Sequence, residues 1–285
     1  MSIQLSQIAQ IEFDEQIKAA YQGAGVLRPH VRVRTGVVGN TCEFRRYARG
    51  TATPRVPQSD VAPMSIGYAK RQALLADWNA AEYTDVFDQA TTNVDERPVV
   101  ATNIAAAIGR REDQMVLDAL DAANVAANVN TNVAASGASG EAATGMNIAK
   151  LRRAARFLND RAVPMNMRAF VHSAHALEQL LGLGEIQSAD FNTVRALVNG
   201  EVNTFMGFTF CMIEARDEGG LPISSTLRTS YAFDKMALGL AIGIDYRNEV
   251  YYIPEKTSWL ANGLFKAGAV SIDDLGVVEV QHTEA

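Results

Sequence analysis

The residues of this chain best suited to chemistry are His172 and His175, with Ser173 between them. Two histidines three apart can share a metal ion. A serine beside a histidine is the raw material of a nucleophilic pair. The context argues against both, because no neighbouring acid or cysteine completes a ligand set. The pair also straddles a predicted strand-to-helix junction, where Ser173 suits the helix N-cap, its oxygen accepting from a free backbone N–H. Gly137, Gly140 and Gly145 lie near Lys150, but they sit among Ala, Ser and Glu and read as a surface loop, not a phosphate cradle at a helix N-terminus. The carboxylates of Glu112/Asp113 and Asp273/Asp274 are adjacent in sequence. Neighbouring residues of a helix do not face each other, so both pairs read as solvated or ion-paired. Cys42 and Cys211 are far apart and in no C-x-x-C pattern, which argues against a disulfide framework or structural zinc. The phosphate-loop, zinc-protease, nucleophile-elbow and dinucleotide fingerprints are all missing. No catalytic residue, metal ligand or cofactor is expected.

Charge is the more informative signal. The chain of 285 residues has a formal net charge of −6, whereas a whole-surface nucleic-acid binder is usually basic. Residues 28–55 hold seven arginines (Arg28, Arg32, Arg34, Arg45, Arg46, Arg49, Arg55), no lysine, and Glu43 as the one acid, so this segment carries +6 and the rest −12. Residues 77–96 carry six acids (Asp77, Glu82, Asp85, Asp88, Asp95, Glu96) and no basic residue. The planar guanidinium fork suits carboxylate and phosphate alike. Three readings of the basic segment therefore stand: docking on an acidic protein surface, contact with nucleic-acid phosphates, or a solvated loop. The acidic stretch close by favours docking. Aromatic interleaving is thin, with Phe44 and Tyr47, which weakens a stacking mode of single-strand binding.

These charges must be carried by elements that the periodicity suggests. Residues 4–22 read as an amphipathic helix with Ile8, Ile11, Ile17, Ala20 and Tyr21 on one stripe. Residues 30–48 alternate in the strand period. Gly39-Asn40 is a turn signal, so Val31, Val33 and Val37 are expected to form a hairpin with Thr41-Cys42-Glu43-Phe44. A two-stranded hairpin is marginal in water by itself, so this one needs a surface to lie on. Residues 68–90 return the chain to the body. A long helix is expected over 99–123, with Ile104, Ile108, Met115, Ala119 and Ala122 on its apolar side and Pro98 in the first turn. Residues 124–145 read as a loop, 147–160 as a helix, 168–172 as a strand, and 174–181 as a helix ending at Gly182. Residues 202–214 read as a hairpin turning near Gly207. Residues 230–233, 250–253 and 276–280 read as strands. The class is α+β, without regular βαβ units. No apolar run approaches the length of a membrane span.

The order of these pieces resembles the tailed-bacteriophage major capsid proteins with the Hong Kong 97-type capsid fold. The resemblance rests on the arm ending at Tyr21-Gln22-Gly23 and on the extended segment 37–44. It rests also on Gly109-Arg110-Arg111-Glu112-Asp113 in the long helix, similar to a Gly-Arg-x-x-Asp seen in one broad capsid family. Asn199-Gly200-Glu201-Val202 through Met206-Gly207-Phe208, the run Tyr231 to Ala237, and the closing segment 259–280 complete it.

The resemblance implies an N-terminal arm (1–27), an extended β-hairpin loop with its return (28–92), and a peripheral domain with the spine helix and following loop (93–145). A mainly axial domain (146–230) and a return to the peripheral domain (231–285) follow. It implies self-assembly as hexamers and pentamers into an icosahedral shell around double-stranded DNA, with packaged DNA touched only weakly and no membrane partner. The location implied is the virion capsid, assembled in the bacterial host cytoplasm. The arm-like helix begins within a few residues of Met1, so a separate scaffolding protein is expected, beside a portal and a decoration protein. Some relatives crosslink through a loop lysine; none occurs between Lys18 and Lys70, so no such crosslink is expected. Expected intersubunit contacts are the seven arginines above with Asp77, Glu82, Asp85 and Asp88 of a neighbour. The alternatives are a cellular nanocompartment shell of the same fold, or a nucleic-acid-binding protein using the arginine-rich hairpin.

Overall fold

The computed structural model describes residues 25–284, apart from 59, 62, 88–96, 124, 126, 141 and 183–203. The helix expected over 4–22, the segment 199–202, and Asp88, Asp95 and Glu96 lie outside the described residues. The strands are β1 (Arg32–Arg34), β2 (Thr41–Tyr47), β3 (Tyr68–Leu74), β4 (Ala76–Asp85), β5 (Asn128–Val129), β6 (Arg168–Ser173), β7 (Thr204–Phe205), β8 (Phe208–Ile213), β9 (Ile223–Ser224), β10 (Leu227–Asp234), β11 (Leu238–Ile253), β12 (Ser258–Ser271) and β13 (Val277–Thr283). The helices are α1 (Arg97–Asp121), α2 (Ile148–Asp160) and α3 (Ala174–Leu181).

Three sheets result. One has the order β1-β11-β12-β4, the second β5-β13-β10-β6-β8-β7 with β9 on β10, and the third is the β2-β3 ribbon. Helix α1 spans 25 residues, about 37 Å at 1.5 Å per residue, and packs across the first two sheets. Ile104, Ile108, Met115 and Ala119 are buried as their spacing predicts, joined by Val116, Leu117 and Leu120, whereas Ala122 is exposed. Strand alternation divides the core. Ala169 and Val171 of β6, with Tyr231 and Phe233 of β10, face the α1 side. Phe170 and Ala232 face the opposite side, against Leu151, Ala154 and Leu158 of α2. The cap read from sequence holds, Ser173 Oγ accepting from Ala176 N–H at 3.1 Å, and the structure adds a second, Asn147 Oδ1 accepting from Lys150 N–H at 2.9 Å. Met206 and Gly207 both have positive φ, giving the two-residue turn that joins β7 to β8.

The expected pairing of 31–37 with 41–44 is wrong. Strand β1 pairs in parallel with β11, Arg32 opposite Gly239 and Arg34 opposite Ala241, while β2 pairs antiparallel with β3, from Thr41–Leu74 to Tyr47–Tyr68. The turn at Gly36 and Gly39 (φ +70° and +103°) redirects the chain between sheets instead of closing a hairpin. The reason is burial. The Leu238–Ile242 part of β11 offers Val31 and Val33 a core that a free ribbon lacks.

The ribbon is seated on its own subunit at its base. Cys42, Phe44 and Ala73 are buried with Ala241 and Ile272. The seat demands glycine at 268, where an added Cβ would stand 1.9 Å from the carbonyl oxygen of Leu74. That neighbour is backbone, so it cannot rotate away. Gly268→Ala is expected to cost ~3 kcal/mol in denaturant unfolding, at the upper end of overpacking penalties. Gly140→Ala, whose Cβ would meet nothing within 4 Å, is the control and should stay within about 0.5 kcal/mol of the parent.

Candidate assembly interface

The Gly109–Asp113 stretch of α1 is where three parts of the chain converge. Gly25 lets the incoming backbone lie close to α1: a Cβ added there would stand 2.9 Å from the Gly109 carbonyl oxygen. Asp113 is fully buried. Its Oδ1 accepts from Val26 N–H at 3.1 Å and Leu27 N–H at 2.9 Å, and its Oδ2 from Val26 N–H at 2.9 Å and Arg216 Nη2 at 2.6 Å. Burial pushes its pKa up, and the two backbone donors and Arg216 pull it back. Gln114 next door accepts from Gly219 N–H at 2.7 Å, tying the loop after β8 to the same turn of helix. Arg111 stacks over the Trp78 ring at 3.7 Å from its centroid, linking α1 to β4. Glu112 is buried rather than solvated, and its Oε1 has no hydrogen-bond partner, the Nε of Arg28 being 3.6 Å away. Burial raises its pKa to about 7, with Asp113 and Asp245 adding to the rise and Arg28 opposing it.

The seven arginines have different fates. Arg28 forks onto Asp245 at 3.0 and 2.7 Å, fastening the chain ahead of β1 to β11 of its own subunit. Arg46 pairs with Asp273 at 3.1 Å, and Arg49 donates to the Arg161 carbonyl. Arg71 pairs with Asp274 at 2.9 Å, so both adjacent aspartates of 273–274 are ion-paired. Arg32 lies 5.7 Å from the Phe44 ring centroid. Arg34, Arg45 and Arg55 are exposed and carry no ion pair among the described residues. Of the expected acidic partners, Asp77 pairs with Lys266 at 3.1 Å yet keeps its side chain 79% exposed. Asp85 accepts from Phe87 N–H at 2.8 Å. Glu82 is exposed on β4, and Asp88 lies outside the described residues. None of these three described acids meets a hairpin arginine within the subunit. The sequence reading missed Asp113, Asp245 and Asp273 as partners, since contacts across 87, 217 and more than 200 residues leave no local signal.

The residues that tempted a chemical reading are packed. His172 Nδ1 contacts the Ser173 carbonyl at 2.9 Å, and burial lowers its pKa. Its ring lies beside Phe170 and Phe210. Among the described residues no group of three or more His, Cys, Asp or Glu could hold a metal. Two open grooves carry arginines in their walls, one with Arg71 and Arg111 and the other with Arg32, Arg34 and Arg45.

A long helix across two sheets, with a two-stranded ribbon reaching out from them, is the architecture of shell-forming subunits of the Hong Kong 97 type. The solved capsid of cyanophage P-SCSP1u superposes with a TM-score of 0.75 at 15% identity, covering 99% of this chain and 95% of that one. The capsid of Helicobacter pylori bacteriophage KHP30 gives 0.76 at 10%, covering 99% and 98%, and a solved chain of Mycobacterium phage Che8 gives 0.69 at 16%, covering 96% and 97%. No curated protein matches in sequence. The sequence matches the phage capsid protein family over residues 5–284, and the chain belongs to that family. It is a major capsid protein, the subunit of an icosahedral phage shell.

Two outcomes follow from the α1 junction. Asp113→Ala removes the carboxylate that both Arg216 and the incoming backbone use, and should lower stability by about 3–5 kcal/mol. Limited proteolysis should then cut near residues 25–31. Glu112 titrates near 4.5 when unfolded and about 7 when folded, so between those pH values the folded state holds the extra proton. Its contribution to stability is therefore present below pH 4.5 and lost as pH rises through 7. Glu112→Gln should flatten that part of the stability–pH curve, gaining ~1–3 kcal/mol over the parent at pH 8.

Proposed function

We propose that copies of this chain join as hexamers and pentamers, each laying its arginine-rich hairpin on a neighbouring subunit. The observation that carries this is the set of exposed arginines without an ion pair among the described residues: Arg45 on the ribbon, whose base alone is buried, Arg55 in the segment that joins its two strands, and Arg34 on β1, which leads into it. A neighbour's Asp77, Glu82, Asp85 and Asp88 supply the complementary charge. Arg28, Arg46 and Arg49 spend their charge or donors inside the subunit, so their part is to hold the hairpin in its outgoing direction. Arg32, set beside Phe44, stands at the boundary of the two roles.

Exposed ion pairs are worth about 0.2–1 kcal/mol each. The arginines therefore set register and orientation between subunits, and apolar contact provides most of the affinity. The role is structural, without a catalytic step. The segment 1–27 acts as the arm, 28–92 as the extended loop and its return, 93–145 and 231–285 as the peripheral domain, and 146–230 as the mainly axial domain. Assembly takes place in the host cytoplasm on a separate scaffolding protein and around a portal, with a decoration protein reinforcing shells that lack lysine crosslinks in this loop. The acidic balance of the chain fits a lining that touches packaged DNA only weakly.

Arg34→Glu/Arg45→Glu should leave the far-ultraviolet circular dichroism and melting temperature of the subunit within about 2 °C of the parent, since surface substitutions cost little. Electron microscopy of the same variant, expressed with its scaffolding protein, should show few or no closed shells. Normal shells would refute the docking of the hairpin through these residues.

A further inference from the structure

Strand β2 is paired on one edge only: β3 takes that edge, and nothing in the described subunit takes the other. The free edge borders an open groove of about 850 Å³. Arg32 and Arg34 line the groove and Val33 does not, so β1 turns one face toward it, with Val33 packed against the core behind. On the β2 side every residue from 41 to 45 lines it. Successive residues of a strand point to opposite faces, so a run of both parities means that β2 meets the groove edge-on, with its unpaired N–H and C=O groups. The groove is thus an unfilled strand position over a floor of two arginines.

A free edge pairs with any exposed strand unless charge restricts it. Here the balance is positive, Arg32, Arg34 and Arg45 against Glu43, which Lys70 already pairs at 3.0 Å, so the fitting partner is an acidic edge. This chain has one: β4 ends the first sheet, is paired among the described residues with β12 alone, and carries Asp77, Glu82 and Asp85. Its ten residues exceed the seven of β2, and neither strand contains proline, which would remove a ladder donor. The other long free edges match less well, since β3 carries Lys70 and Arg71, and the outer half of β11 carries Asp245, Arg247 and Glu249 of mixed sign.

We infer that β2 is a strand-pairing site for a second copy of this chain, receiving the free edge of that copy's β4 so that the hairpin and the neighbour's four-stranded sheet become one continuous sheet. This rests on the reading of the hairpin as an intersubunit element and names the surface it meets. Because β2 and β4 differ, the contact is head-to-tail, the kind that closes rings.

Hydrogen–deuterium exchange on the unaltered chain, as assembled shells and as dissociated subunits, tests the pairing directly. Assembly should slow alternate amides in 41–47 and in 76–85 together, by at least tenfold in rate. Protection of 41–47 without 76–85 would overturn the inference and point to another occupant, such as a scaffolding segment. In a second arm, Arg32→Glu/Arg34→Glu should abolish shells, and adding Glu82→Arg/Asp85→Arg should restore them. Loss without restoration, in variants that keep the parent circular dichroism, would overturn the β4 pairing while leaving hairpin docking intact. Normal shells from the arginine variant, together with unchanged exchange at 41–47, would overturn both.

Discussion

Asp113 is the point on which the arrangement turns. A carboxylate with no exposed surface is costly unless its lone pairs are used, and here they are used by the chain that leads into β1 and by Arg216 of the loop after β8. Two segments remote in sequence are thereby fixed to one turn of α1. Where Leu27 is held, β1 must begin within reach of β11. Where β1 pairs with β11, the chain must leave the body through Gly36 and Gly39 into the ribbon. The direction of the hairpin is therefore set by a contact well removed from its tip.

Close backbone approach is the second constraint, and glycine supplies it at few places. Gly25 over Gly109 lets the incoming segment lie flat on α1, and Gly268 under Leu74 lets the ribbon sit on β12. Between these contacts the basic charge is sorted. Arg28 and Arg46 are drawn inward by Asp245 and Asp273, while Arg34, Arg45 and Arg55 are left outside. A subunit that holds its own hairpin base firmly and leaves the outer charge unspent is organised for a neighbour.

Much of the molecule could be read locally. Helices α1, α2 and α3, the cap at Ser173, and the turn at Gly207 follow from periodicity and short-range hydrogen bonding, which need no distant partner. The class of the fold and the family followed from the order of those elements. The hairpin partner was misread because Gly39-Asn40 is a genuine turn signal. Turn chemistry says that a chain reverses, not which strand receives it. The ion pairing read for Glu112 and Asp113 holds, with Arg28 and Arg216, but their burial was not legible, because adjacency in sequence carries no information about it.

Sequence alone determined that the chain is α+β, the places of α1, α2 and α3 to within about two residues, and that its basic charge is concentrated between Arg28 and Arg55. Those properties depend on neighbours within a few residues. Only the tertiary structure decided that β1 joins β11, that β2 keeps one edge free among the described residues, and which arginines there carry no ion pair. Those outcomes depend on which distant surfaces offer burial or a carboxylate. Asp245 and Asp113 are separated from their partners by 217 and up to 103 residues, and nothing local in a sequence encodes such a meeting.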